Sequence, residues 1–142
     1  MPVETALIHP ERPALIDDLG TTRTFGELLD RATRLGRAMH DAGVPVGGHV
    51  GALTENRAEF FELYLAAMLS GVWLVPINGL LAPSEVVYVA RDAELALVFA
   101  EDDLAHLAPD DISVVRFGDE YEAMVAAGDA TPFALDAPPG SR

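Results

Sequence analysis

Between Ala58 and Asp92 the chain reads "AEFFELYLAAMLSGVWLVPINGLLAPSEVVYVARD", and its apolar positions change period twice within that stretch. Residues 58–70 carry Phe60, Phe61, Leu63, Tyr64, Leu65, Met68 and Leu69. That is more than one helical stripe holds, so the spacing predicts a helix covered on most sides and closed by Gly71. "VWLVPI" (72–77) is a continuous apolar run, a strand in which Trp73 reads as a core residue. Pro83 to Asp92 returns to helical spacing. Upstream, "ALIDDLGTTRTF" is two short apolar runs around a turn, a small hairpin. Thr24 and Glu27 have capping-box spacing, and behind them Leu28, Ala32, Leu35 and Met39 fall on one helical face. Glu27 with Arg31, and Asp30 with Arg34, form acid-first pairs on the opposite face. Each such pair is worth about 0.2–0.5 kcal/mol. Gly43 ends this helix.

The remaining pattern fills in the same way. Val50 to Thr54 is a short strand, and Asn56 with Glu59 repeats the cap-plus-three spacing ahead of the apolar helix. "LALVFA" (95–100) is a strand, residues 102–107 a short helical turn, "SVVRF" (113–117) a strand, and Glu120 to Ala127 a last helix. The four main strands are unbroken apolar runs that alternate with helices. This predicts an α/β fold: a doubly wound, mainly parallel sheet with helices on both faces, spanning residues 1–128. Residues 129–142, "DATPFALDAPPGSR", read as a linker-like tail.

Composition narrows the possible partners. With 142 residues, half of them hydrophobic, the chain is long enough for one domain with a real core. A formal charge of −14 disfavours nucleic acid and anionic membrane surfaces, both of which need clustered cations. All nine basic residues are arginine, and there is neither lysine nor cysteine. Thiolate metal sites, disulfides and a lysine-bearing phosphate loop are therefore excluded. The N-terminus "MPVETALIHPERPAL" does not read as a signal peptide, and no apolar run reaches the length of a membrane span. A soluble, cytoplasmic protein without membrane insertion is expected.

Candidate chemistry is sparse. The glycines of "GVPVGGHVG" (43–51) follow a helix and open a strand, the reverse of a phosphate-cradling loop, so they read as a cap and a turn. Asp17-Asp18, Glu101-Asp102-Asp103 and Asp110-Asp111 lie near strand ends but lack calcium-loop spacing, and they read as solvated loop acids. A phospho-receiver would need a lysine beside such acids. His9, His40, His49 and His106 are scattered, with no i,i+4 pair, and read as surface or packing residues. Ser70, Ser84, Ser113 and Ser141 lie in no G-x-S-x-G elbow. The reading assigns no catalytic, no cofactor-binding and no metal residue.

Three segments, in order, resemble the N-terminal region of the adenylate-forming superfamily: acyl-CoA synthetases, aryl-acid–CoA ligases and the adenylation domains of peptide synthetases. They are "RPALIDD" with "RTFGELLDRATRLGRAM", then "GHVGALTENRAEFFELYLAAMLSG", then "GVWLVPINGLLAPSEVVYVARDAELALVFAEDDL". Within them Gly71, Pro76 and Asn78 read as scaffold: a left-handed stop, the end of a strand ladder and a turn-shaping amide. Ala82 stands where family members often place an N-capping Thr, and Gly79 where a bulkier residue is common. The resemblance implies an enzyme that joins a carboxylic acid to ATP, with Mg²⁺, and passes the acyl group to a thiol such as coenzyme A. It also implies that the phosphate loop, the downstream Thr-Glu, the ribose-binding Asp and the mobile lysine lie beyond the matched region. No catalytic residue is carried over, and the chain alone is expected to bind none of ATP, Mg²⁺ or coenzyme A. The expected partner is the remainder of such a ligase, or a second copy in a homo-oligomer. The causes open to the sequence are a shortened gene, a split enzyme or an excised piece. Two other readings are a binding or assembly module and a free-standing flavodoxin-like nucleotide binder. "VPINGLLAPSEV" is closest to fatty-acyl-type synthetases.

Overall fold

A computed structural model describes residues 8–16, 20, 22–54 and 57–134. Strand β1 (Pro13–Ile16) pairs antiparallel with β2 (Thr22–Thr24), the hairpin expected; Asp17 and Asp18 lie outside the described residues. Helix α1 (Phe25–Asp41) opens on a complete capping box. The Thr24 hydroxyl accepts from the Glu27 N–H at 3.1 Å, and the Glu27 carboxylate accepts from the Thr24 N–H at 3.2 Å. Two orphan helix donors are thereby satisfied.

Strand β3 (His49–Leu53), helix α2 (Ala58–Ser70), strand β4 (Trp73–Ile77), helix α3 (Pro83–Asp92) and strand β5 (Leu95–Ala100) follow. A single 3₁₀ turn (Ala105–Leu107), strand β6 (Ser113–Arg116) and helix α4 (Asp119–Ala127) complete the order. The sheet is parallel throughout, with strand order β4-β3-β5-β6. Side chains alternate between its faces, as the two-residue period of a strand requires. Val50, Ala52, Leu97 and Phe99 join α1, α2 and α4 in one core. Leu53, Val98 and Ala100 join Val86 and Ala90 of α3 in the other. Helices therefore cover both faces, the doubly wound layer predicted.

Four local expectations are corrected. Asn56 lies outside the described residues, and the α2 N-cap is Arg57, without a side-chain cap. Arg31 turns away from Glu27, whose carboxylate serves the capping box, and reaches across to other elements. Pro76 does not stop its strand: it pairs opposite Ala52, and the ladder runs on to Ile77. A proline is tolerated there because β4 is an edge strand, needing partners on one side only. Trp73 is no core residue; on that same edge it stands 66% exposed.

Other expectations hold. Gly71 caps α2 at φ +74°, a left-handed conformation that costs glycine nothing. The Asn78 side chain accepts from the Leu80 N–H at 2.9 Å and shapes the turn. Ala82 makes no side-chain cap, but Glu85 still reaches back to its N–H at 3.2 Å. Among the described residues no helix is long and apolar enough to cross a membrane.

Candidate functional site

Open parallel sheets bind ligands beyond the carboxyl ends of their strands, where neighbouring crossovers leave in opposite directions. Here that point lies between β3 and β5: from β3 the chain turns to β4, and from β5 to β6. Arg57 fills it. Its Nε donates to Glu59 at 2.9 Å, its Nη1 lies 3.5 Å from Glu101, and its guanidinium stands 4.7 Å from the centre of the Phe117 ring. Burial works against this charge, but the Glu59 and Glu101 contacts outweigh it and hold the Arg57 pKa above the ordinary value. Burial likewise works against the Glu59 carboxylate, and the hydrogen bond from Arg57 keeps its pKa below the usual range. Among the described residues, one cation stands between two carboxylates and leaves no net positive charge at the switch point.

Beside it lies an open cleft of about 450 Å³, lined by Thr54, Phe60, Pro76, Ile77, Asn78, Gly79, Leu80 and Leu104. Leu104 packs directly over Gly79, where a Cβ would come within 2.9 Å of its Cδ1. The glycine that looked merely flexible therefore makes room for one wall of the cleft. Among the described residues the lining contains no cationic and no acidic side chain. A magnesium triphosphate needs cations on its oxygens and carboxylates on the metal, so these residues do not fit one. Among the described residues, no three His, Asp or Glu side chains are grouped to hold a metal ion.

Three of the acids read as loop residues, Glu101, Asp102 and Asp111, hold arginines. Asp102 accepts from Arg116 at 2.7 Å, and Asp111 takes both terminal nitrogens of Arg91 at 2.8 and 2.9 Å. His40 lies between the carbonyl oxygens of Val44 (2.7 Å) and Ser70 (3.0 Å), and His49 against that of Ala93 (2.6 Å). These are packing roles.

A polar centre that the sequence did not announce lies under the sheet's first face. Glu62, fully buried within the apolar run of α2, accepts from Arg23 of β2 at 2.9 Å and from Arg31 of α1 at 2.6 Å. The Tyr121 hydroxyl of α4 donates to its other oxygen at 2.9 Å, and Arg31 continues to Glu122 at 2.6 Å. Burial opposes the Arg31 charge, yet the bonds to Glu62 and Glu122 hold its pKa above the ordinary value. Burial, and after it the Glu62 charge, push the Tyr121 pKa well up, so the phenol stays a donor. The only hint in the sequence is an acid set in the middle of "FFELYLAA". The network is saturated and aimed inward; it braces the fold.

The outer surface of α2 is the more telling feature. Phe61, Tyr64 and Met68, spaced three and four apart, are each about half exposed (52%, 56% and 51%), so the helix is not covered on most sides. Trp73 on the β4 edge and Leu80 at the cleft, 90% exposed, are further exposed apolar side chains.

The family model described as AMP-binding enzyme matches residues 3–137. The chain is 28% identical over 135 residues to the fatty acid–[acyl-carrier-protein] ligase ScoC of Streptomyces coeruleorubidus, covering 88% of this chain and 26% of that protein. It is 36% identical over 97 residues to the 3-hydroxybenzoate–CoA ligase of Aromatoleum sp. (strain CIB), covering 68% of this chain and 18% of that one. Among solved structures, the inhibitor-bound N-terminal domain of FACL13 from Mycobacterium tuberculosis superposes with a TM-score of 0.84 at 22% identity, over 96% of this chain and 37% of that domain. That last likeness is one of fold. The chain thus spans about a quarter or less of the length of these two relatives.

Proposed function

The chain belongs to the AMP-binding enzyme family, and from that membership we propose that it supplies the first α/β layer of an acid–thiol ligase. Such a ligase joins a carboxylic acid to ATP, releasing pyrophosphate and leaving an acyl-adenylate, then passes the acyl group to a thiol such as that of coenzyme A. The observation that carries the reading is the apolar strip of Phe61, Tyr64 and Met68, with Trp73 on the adjoining edge strand. A self-sufficient layer would bury such a surface. Its intended cover is the rest of the family fold, carried on a longer or a second polypeptide, since the matched region is only 18–26% of the two relatives.

On this reading the layer performs no chemistry alone. The cation at its switch point is already neutralised by Glu59 and Glu101, and the described lining of its cleft carries no charged side chain. Relatives act on acids as unlike as a fatty acid and 3-hydroxybenzoate. The mainly apolar lining of the cleft and the segment "VPINGLLAPSEV" favour a fatty-acyl-type acid. The reading takes the protein to be cytoplasmic, where ATP and coenzyme A are at hand. ATP–pyrophosphate exchange by the isolated chain, assayed with fatty and aryl acids, tests it: no exchange above buffer is expected, and exchange with any acid overturns it.

The exposed α2 surface also favours a second reading, a non-catalytic binding or assembly module. Under that reading the chain has a partner unrelated to ligases, and a polypeptide carrying the rest of the family fold does not bind it.

A further inference from the structure

The segment after α4 has the composition of a linker but the contacts of a bound peptide. Gly128 presses so closely on α1 that any Cβ there would collide with the Arg34 carbonyl oxygen. The Gly128 carbonyl accepts from Arg34 Nη1 at 3.3 Å. One turn further along α1, Arg37 donates from Nε to the Thr131 carbonyl at 3.1 Å and from Nη2 to the Pro132 carbonyl at 3.0 Å. The same guanidinium stacks 3.9 Å from the centre of the Phe133 ring. That ring fits against Gly36, where a Cβ would lie 3.0 Å from its Cε2, and meets His40 edge-on at 6.2 Å. Asp129 accepts from the Thr131 N–H and hydroxyl, each at 2.7 Å, and shapes the segment for this path.

We propose that residues 128–134 are a strap latched into a groove on α1, with Phe133 as the latch and Arg34 and Arg37 as clasps. Two arginines one turn apart take three main-chain carbonyls, a recognition that reads backbone rather than side chains. The aromatic seat then sets the register. Gly36 opens the seat: a Cβ there would stand 3.0 Å from Cε2 and 3.2 Å from Cζ of the ring, which would have to shift by a few tenths of an ångström. The strap holds the chain leaving Ala134 at the α1–α2 junction, where His40 also touches the Ser70 carbonyl. Its function is to fix where the following polypeptide starts, and it does so whether or not the ligase reading is right.

Chymotrypsin cleavage after Phe133 in the full chain tests this. A latched strap is cut only when it opens, so the rate follows the open population. Arg37→Ala removes two hydrogen bonds and the ring contact from an exposed position, and cleavage should accelerate roughly 10- to 100-fold. Gly36→Ala should act in the same direction although alanine favours the helix. Arg91→Ala, remote from the strap, should leave the rate unchanged. The proposal is overturned if wild-type chain is cut at Phe133 as fast as a free peptide of residues 128–137, or if Arg37→Ala has no effect on the rate.

Discussion

Glu62 is the residue on which most of this structure converges, because one buried carboxylate joins β2, α1 and α4 to α2. Removing one partner of a buried charge network strands the others, at a cost of about 3–5 kcal/mol. Domains of this size are stable by only about 5–15 kcal/mol. Glu62→Ala should therefore bring the chain close to unfolding, with its urea midpoint shifted by a large fraction of the wild-type value; a loss of stability under about 1 kcal/mol would refute the bracing role. The sequence pointed elsewhere for a physical reason. Helical i,i+4 pairing offers Arg31 a few tenths of a kcal/mol, whereas a carboxylate already buried demands a cation. Glu59 contributes a pH dependence through burial and its Arg57 partner. Its folded pKa lies below the unfolded value of about 4.3, so the folded state binds fewer protons there. That contribution is complete above the unfolded pKa and is lost as pH falls through the folded one. The thermal midpoint of wild type should drop with acid more steeply than that of Glu59→Gln, and the gap between them should close at low pH.

At the scale of elements, α2 shows where sequence and structure part. Its boundaries and its Gly71 stop were legible, because a left-handed cap at φ +74° has a glycine signature. Its environment was not. An all-round apolar helix implies cover, but the periodicity does not say whether the cover belongs to the same described residues. The exposed Trp73 has the same origin: an apolar strand looks alike at the centre of a sheet and at an edge that another segment would protect. The isolated chain should accordingly bind a hydrophobic probe dye or self-associate, and Tyr64→Asp combined with Met68→Lys should abolish either behaviour without lowering the thermal midpoint. Fluorescence titration and sedimentation measure both; a monomer that ignores the dye would mean that the strip is not an interface. The hairpin, α1 with its capping box, and α3 from Pro83 to Asp92 were readable because each carries its own local signal.

For the whole molecule, the parallel doubly wound layer followed from unbroken apolar strands alternating with helices, since only a sheet covered on both faces supports that pattern. The order β4-β3-β5-β6 did not follow, because strand adjacency is set by tertiary packing rather than by local composition. The contacts of residues 128–134 were hidden for a similar reason: they are main-chain carbonyls held by arginines 94 or 95 positions away. As for the site, the sequence assigned no catalytic, cofactor or metal residue, and the described lining of the cleft is mainly apolar, with Thr54 and Asn78 its polar side chains and no charged one among them. On the proposed reading, the exposed apolar surface of α2 is where the rest of a ligase would sit. The most direct test is to read the coding sequence that follows codon 142, in all three frames and into the adjoining genes. The account predicts a Ser/Thr-Gly-Thr-x-Gly-x-Pro-Lys-Gly phosphate loop on a polypeptide that continues the adenylate-forming fold; unrelated sequence throughout would contradict it and leave the α2 surface to a partner of another kind.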